Sequence, residues 1–310
     1  MKRRQFIESF AAITGTTLIP VVHAQPAYDP NGAIGPGKLL VLEETPRGRV
    51  IVVDSVTYGA GSLRGDDVMI AASYAGASSL LFPLMRGVKA VVAHEAGVGK
   101  DSAGISGLQL CQGFGVPAAA VETMSAGLSL GGSMIGGIVA HVNPAAAALG
   151  VRRGQTAAEA ARAMLAGAAG VPRKVEGAVD PRVYEVARTE KGRVIATAST
   201  FSIKEPMPDA VICGASHTAR VFAESLQKIG PRGAMANDAG FAKFNSGIDG
   251  LPILEQMKIA GAAVAAASAR IGDGLSTYND GMISAINSLA ASRGVKVGMA
   301  AKEAAALMLG

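Results

Sequence analysis

The chain has 310 residues, of which 49% are hydrophobic, 17% charged and only 4% aromatic, with 40 glycines, no Trp and a formal net charge of +5. That hydrophobic share belongs to a folded globular chain and excludes a disordered one. The mild positive balance comes without a dense basic run, which excludes a nucleic-acid-binding face, and the scarcity of rings argues against a stacking surface for carbohydrate.

The chain opens on Lys2-Arg3-Arg4-Gln5-Phe6-Ile7, followed by a modest apolar run from Phe10 to Val22 and small residues at Val22-His23-Ala24. Positive start, apolar stretch and small-residue cleavage site, in that order, read as an export signal over 1–24. The paired arginine before an aromatic resembles the twin-arginine signal of bacterial precursors. The run is shorter than the ~20 residues a spanning helix needs. The expectation is a periplasmic protein of a Gram-negative bacterium, without stable membrane insertion after cleavage; an uncleaved anchor is the alternative. Residues 25–47 carry Pro26, Pro30 and Pro36 and read as an extended arm leading into a short strand near Leu39–Leu42.

From residue 48 the sequence says the same thing twice. Residues 93–108 (AHEAGVGKDSAGISGL) match 236–251 (ANDAGFAKFNSGIDGL) at Ala96/Ala239, Gly97/Gly240, Lys100/Lys243, Gly104/Gly247 and further positions. The match extends upstream to Gly48/Gly192 and downstream through Asn143/Asn287 to Met164-Leu165/Met308-Leu309. The repeats are 48–166 and 192–310, with 167–191 as connector. Each is the size of one compact unit, and the period is too long for a solenoid.

Within one repeat, 48–54, 67–73, 89–93 and 116–122 read as strands, without polar alternation. Helices are expected over 77–86, where Pro83 kinks or shortens the segment, over 103–113, 138–149 and 156–165, with a glycine-rich loop at 125–137. Apolar strands separated by helices mean sheets covered on both faces. The expected class is α/β: two tandem-duplicated repeats packed with pseudo-two-fold symmetry, with a site at or near their interface.

Ligands of open α/β sheets sit beyond the carboxyl ends of the strands, and three loops per repeat lie there. The first starts at Ser73-Tyr74, paired with Ser216-His217. The second holds Glu95 and Lys100, paired with Asp238 and Lys243. A lysine beside a helix start and backbone N–H groups makes an anion-binding corner, and a desolvated lysine serves as base or nucleophile; an internal acid–lysine pair bracing a turn is the plainer reading. The third loop begins at Ser125, paired with Ser268, and then breaks the symmetry: Arg270, Asp273 and Tyr278 stand where the first copy is apolar and glycine-rich. Arg270 suits a carboxylate, unless Asp273 neutralises it.

The expected site is therefore one composite, with Lys243, Asp238, Ser268 and His217 as catalytic groups and Arg270, Asp273, Tyr278, Ser216 and Lys100 as substrate-binding groups. The serines equally suit capping or turn roles, and neither lies in a G-x-S-x-G elbow. Cys111, Cys213 and the four histidines are scattered, so neither a metal nor a cofactor is expected, and the cysteines read as two small core residues rather than a disulfide. The functional expectation is a cofactor-independent enzyme on a small carboxylate- or amide-bearing molecule: a hydrolase first, a lyase or isomerase second. The alternatives are a small-ligand-binding protein of a transport or sensing system, or an assembly protein. A homo-oligomer is compatible with the sequence.

Overall fold

Two six-stranded sheets carry the fold. The first contains β1 (Leu40–Thr45), β2 (Gly48–Val53), β3 (Val68–Tyr74), β4 (Ala90–His94), β5 (Ala118–Val121) and β6 (Val139–Val142) in that spatial order. The second contains β7 (Val183–Thr189), β8 (Gly192–Thr197), β9 (Ala210–His217), β10 (Gly233–Asn237), β11 (Ala260–Val264) and β12 (Ile283–Ile286), again in sequential order. In each sheet the four central strands are parallel and both outer strands antiparallel. The chain is thus mixed α/β with two similar halves. This computed structural model describes residues 28–59, 61–177 and 179–310; the export segment and its cleavage site lie outside the described residues.

Side-chain alternation explains the layering. On β2 and β3, Val50, Val52, Val68 and Ile70 point to one face, where helix Ala157–Met164 covers them. Ile51, Val53, Met69 and Ala71 point to the other, against helices Ala77–Arg86 and Ser106–Gly113. Burial of each large apolar side chain contributes about 1.5–3 kcal/mol, which is why these strands lack polar residues. The second half repeats the pattern with helix Ala301–Met308 on one face and Arg220–Ser225 and Leu251–Gln256 on the other. Pro83 does not end its helix, which runs on to Arg86. Cys111 and Cys213 are both buried and free, in different cores, and burial pushes each thiol up to about 12.

Three elements differ from the sequence expectation. The segment expected as a helix over 138–149 is instead strand β6 followed by a single turn, Pro144–Ala147. Pro144 disfavours helical backbone at Asn143, and Val139 and Val142 suit an edge strand. Asn143 stitches the corner: its oxygen accepts from Ala118 and Ala146 N–H and its amide donates to the Val116 carbonyl. Asn287 makes the equivalent three bonds with Gly261, Ala290 and Ile259. Second, the connector 167–191 contains β7, the counterpart of β1. Third, the loop 125–137 contains a short helix, Gly131–Ile135.

The most strongly repeated sequence forms backbone contacts between the halves. Lys100 N–H donates to the Ala266 carbonyl at 2.9 Å, and Lys243 N–H to the Thr123 and Ala126 carbonyls at 3.3 and 3.2 Å. Tyr74, Ala96, Ala103 and Leu128 pack with Ala239, Ala242 and Ile271. Ala96 to Gly99 and Ala239 to Ala242 all have positive φ, a run that costs non-glycine residues roughly 1–2 kcal/mol each. Gly97 and Gly240 sit where the two runs touch: a Cβ on Gly97 would lie 3.1 Å from Gly240 Cα.

Candidate functional site

The carboxyl ends of β2 and β3 and those of β8 and β9 open onto one cleft of about 130 Å³. The strands deliver its walls directly: Asp54 to Thr57 follow β2, Ser73 and Tyr74 end β3, Ala198 to Phe201 follow β8, and Gly214 to His217 end β9. Helix residues Ser79 and Phe82 close one side and Phe222 and Ser225 the other.

Two residues of the cleft's walls carry unmet polar atoms, both closed off from the surface. Ser79 Oγ and His217 Nδ1 are buried and have no hydrogen-bond partner among the described residues; the residues are only 4% and 6% exposed. An unpaired buried donor or acceptor costs about 1–3 kcal/mol, so such groups call for explanation. Burial lowers the His217 pKa to about 4, assisted by nearby His94, which leaves the imidazole neutral at pH 7. Its ring meets Tyr74 edge to face, centroids 6.2 Å apart. Burial raises the Tyr74 pKa, opposed by a hydrogen bond with Ser78 at 2.6 Å, so the phenol stays protonated and can donate.

Among the described residues, the cleft presents no unengaged charge. Its one ionisable carboxylate, Asp54, accepts from the backbone N–H groups of Ile34, Gly35 and Gly131, each at 2.8 Å, and so anchors the N-terminal arm. Behind the wall, the Arg86 guanidinium donates to the carbonyls of Val56 and Thr57 and holds the loop after β2 in place. Ser73 Oγ accepts from Val56 N–H at 3.0 Å.

Of the residues the sequence singled out, the structure brings Ser216 and His217 to this cleft and places the others outside its walls. Ser268 Oγ donates to the Ala265 carbonyl and accepts from Met282 N–H; Ser125 makes the same two bonds in the first half. Asp238 is 3% exposed and accepts from Gly240 and Ala266 N–H. Lys243 extends over the Phe244 ring at 5.0 Å. Lys100 pairs with Asp280 at 3.1 Å, which together with a Ser276 hydroxyl holds that carboxyl below its usual range, the hydroxyl being the larger cause. Arg270 lies between Asp101 at 3.0 Å and Asp273 at 3.2 Å. Asp273 also caps helix Gly274–Asp280 through Ser276 N–H and lines a second depression, of about 210 Å³, with Asp180 and Tyr184. Tyr278 is half-buried under the Lys302 ammonium at 5.4 Å. These charges are thus engaged by neighbours, and two of the pairings, Lys100 with Asp280 and Arg270 with Asp101, cross between the halves.

Sequence reasoning missed Ser79 and Phe222, and named Tyr74 only as the start of a carboxyl-end loop, without a role. A signal was present: position by position, the halves differ at Tyr74/His217 and Ser79/Phe222, and these differences cluster beyond β3 and β9. His217 Nδ1 makes no hydrogen bond to a hydroxyl among the described residues. Nor, among those residues, do three His, Cys, Asp or Glu side chains gather as metal ligands, and no helix there is long and apolar enough to cross a membrane. Comparison with known proteins gives no match to a family model, a curated protein or a solved structure.

Proposed function

We propose that the protein is an enzyme that takes a small, uncharged, amide- or hydroxyl-bearing molecule into the cleft and moves a proton on it through His217. The observation that carries this reading is the pair of unpartnered buried atoms, Ser79 Oγ and His217 Nδ1, on residues lining one cleft. A neutral imidazole is free to accept a proton at pH 7, and with a value of about 4 His217 is a weak base suited to acidic protons. The protonated Tyr74 hydroxyl, fixed by Ser78, supplies a hydrogen-bond donor beside it, so that base and acid flank the same space. In this reading the halves are related by a pseudo-two-fold axis passing between Gly97 and Gly240. The single cleft then arises because the two copies contribute unlike residues to it.

The reaction class follows from what His217 touches. An acyl-enzyme hydrolase needs a hydroxyl hydrogen-bonded to its base, and neither Ser216 nor Ser268 is so placed. Elimination or isomerisation needs only the base and the donor, and hydrolysis remains open through a water that His217 deprotonates. The carboxylate-bearing substrates expected from Arg270 and Lys243 give way to uncharged ones, because those cations lie outside the walls and are engaged elsewhere. A periplasmic small-ligand-binding protein is the second reading, favoured by the absence of a hydroxyl–His217 bond. Export by the twin-arginine route belongs to both readings, and cell fractionation of the full chain tests it.

Incubation with a panel of small amides, lactams and hydroxy compounds, followed by mass spectrometry, separates the two. Turnover that is lost in His217→Asn, with binding retained, supports the enzyme. Binding without turnover of any compound supports the transport reading. Turnover unchanged in His217→Asn sinks the proton-transfer mechanism.

A further inference from the structure

The walls of the cleft are unlike the rest of the chain. The sequence has five Tyr, eight Phe and no Trp, yet Tyr74, Phe82, Phe201 and Phe222 all line this one space. Rings gathered in one place offer large flat apolar surface. Phe222 is 3% exposed, whereas Phe201 is 63% exposed at the rim. The Phe222 ring lies directly on β9, where a Cβ at Gly214 would come within 2.6 Å of its Cε2. Only a residue without a side chain lets the ring lie there.

Charge and size restrict the occupant further. Asp54 is satisfied by three backbone donors, and the Arg86 guanidinium, 6.0 Å from the Phe82 ring centroid, is committed to wall carbonyls. A charged ligand would lose hydration here and gain no counter-ion, a cost far above that of a neutral polar group. The volume, about 130 Å³, is close to the roughly 150 Å³ in which a closed apolar cavity holds benzene. Much of the lining bears hydroxyls, but Ser55 pairs with Thr57, Tyr74 with Ser78 and Thr200 with Ser225, which leaves Ser79 and His217 with the buried unmet atoms.

We infer that the ligand of the cleft is a flat, uncharged, single-ring molecule carrying one amide or hydroxyl group, its ring against Phe82 and Phe222 and its polar group at Ser79 and His217. This rests on the reading of the cleft as the binding site and specifies the chemical class it takes.

Three probes test it on the full protein by ligand-observed NMR and titration calorimetry: benzamide, benzoate and propanamide. Benzamide binds, and benzoate and propanamide bind at least about tenfold more weakly. Ser79→Ala and Phe222→Leu each weaken benzamide several-fold. Benzoate binding as well as benzamide overturns the requirement for neutrality, and propanamide binding as well overturns the requirement for a ring. No benzamide binding at about 10 mM overturns the inference as a whole. The underlying site is tested separately by Ser216→Trp, which fills the cleft: benzamide bound equally well by that variant means that the cleft is not the site. Should that variant fail to melt cooperatively, the imidazole signals of His217 in the unmodified protein give the same answer. They shift on adding benzamide if the cleft is occupied, and stay still if it is not.

Discussion

The loops at Ala96–Lys100 and Ala239–Lys243 and the strand ends around His217 were both candidates for chemistry, and they behave in opposite ways. The loops agree between the halves at Ala96/Ala239, Gly97/Gly240 and Lys100/Lys243, and their groups are consumed in holding backbone to backbone. The strand ends have diverged, and unmet polar atoms are found there. The two histidines make the contrast sharp. His94 Nδ1 accepts from Ala96 N–H and Nε2 contacts the Ala126 carbonyl; Asn237 makes the same two bonds with Ala239 and Ala269. A residue whose job an asparagine does equally well in the other half is a brace. His217 has no such equivalent, for Tyr74 stands in its place. A difference between copies therefore points to chemistry only where, as at His217, it leaves an atom unmatched by its neighbours.

The most severe way to break the comparison is at the point where the loops touch. Gly97 has φ +73°, and a Cβ there meets Gly240 backbone at 3.1 Å. Gly97→Val adds a β-branched side chain to a left-handed position with no room for it. Strain and displacement together should cost about 3–5 kcal/mol, read as a lowered urea midpoint. A variant as stable as the parent would mean that the loops are not packed as described.

How much of this could be read in advance depended on what kind of signal each residue left. The duplication, the apolar runs of β2 to β5 and their partners, and the carboxyl-end location were legible, because burial on both faces writes itself as uninterrupted Val, Ile and Ala. Strand β6 was not, since Ala140-His141-Val142 before an alanine-rich turn imitates a helix when only composition is weighed, and Pro144 decides otherwise. Strand β7 (VYEVART) is a half-exposed antiparallel edge, whose charged positions hid it in the connector. At the site, Ser216 and His217 were found because they end a strand. Lys243, Asp238, Ser268 and Arg270 were chosen for their chemistry, and whether a charge is already matched by a neighbour from the other half is a three-dimensional fact. Asp101 with Arg270, far apart in sequence, illustrates this.

At the strand ends the comparison sharpens into a paired substitution. His217→Asn should lower turnover by about 10²–10⁴-fold, the usual worth of a positioned acid–base group, with little change in melting temperature. His94→Asn should do the reverse of nothing dramatic: turnover preserved, and less than about 1.5 kcal/mol of stability lost, because Asn237 already demonstrates the geometry. Equal losses of activity in both variants would erase the distinction between brace and base.

Acid offers a milder test of the same two residues. Burial lowers the pKa of both His94 and His217 below the ordinary value near 6.5. The fold therefore favours their neutral forms, and the stability this represents is complete above the unfolded-state value and lost as pH falls through the folded one. For His217, with a folded value of about 4, roughly 3 kcal/mol should disappear between about pH 6.5 and 4. Urea titrations across that window should show a shallower decline for His217→Phe than for the parent. Parallel curves would mean that His217 is not buried in its neutral form.

The smallest effects are expected at the lysines, which the sequence alone made the leading candidates. Lys100 is joined to Asp280 across the halves with both side chains about one-third exposed, and pairs of that kind contribute about 0–1 kcal/mol. Lys243 extends over an exposed Phe244 ring, a contact of about 0.5–1 kcal/mol. Neither ammonium lines the cleft. Lys100→Ala and Lys243→Ala should each cost at most about 1 kcal/mol, and benzamide affinity and turnover should stay within about twofold of the parent. The backbone N–H groups at both positions, which reach across to Ala266, Thr123 and Ala126, survive either change. If Lys243→Ala abolishes turnover while Lys100→Ala does not, the conserved loops are the seat of the chemistry after all, and the cleft at His217 is a bystander.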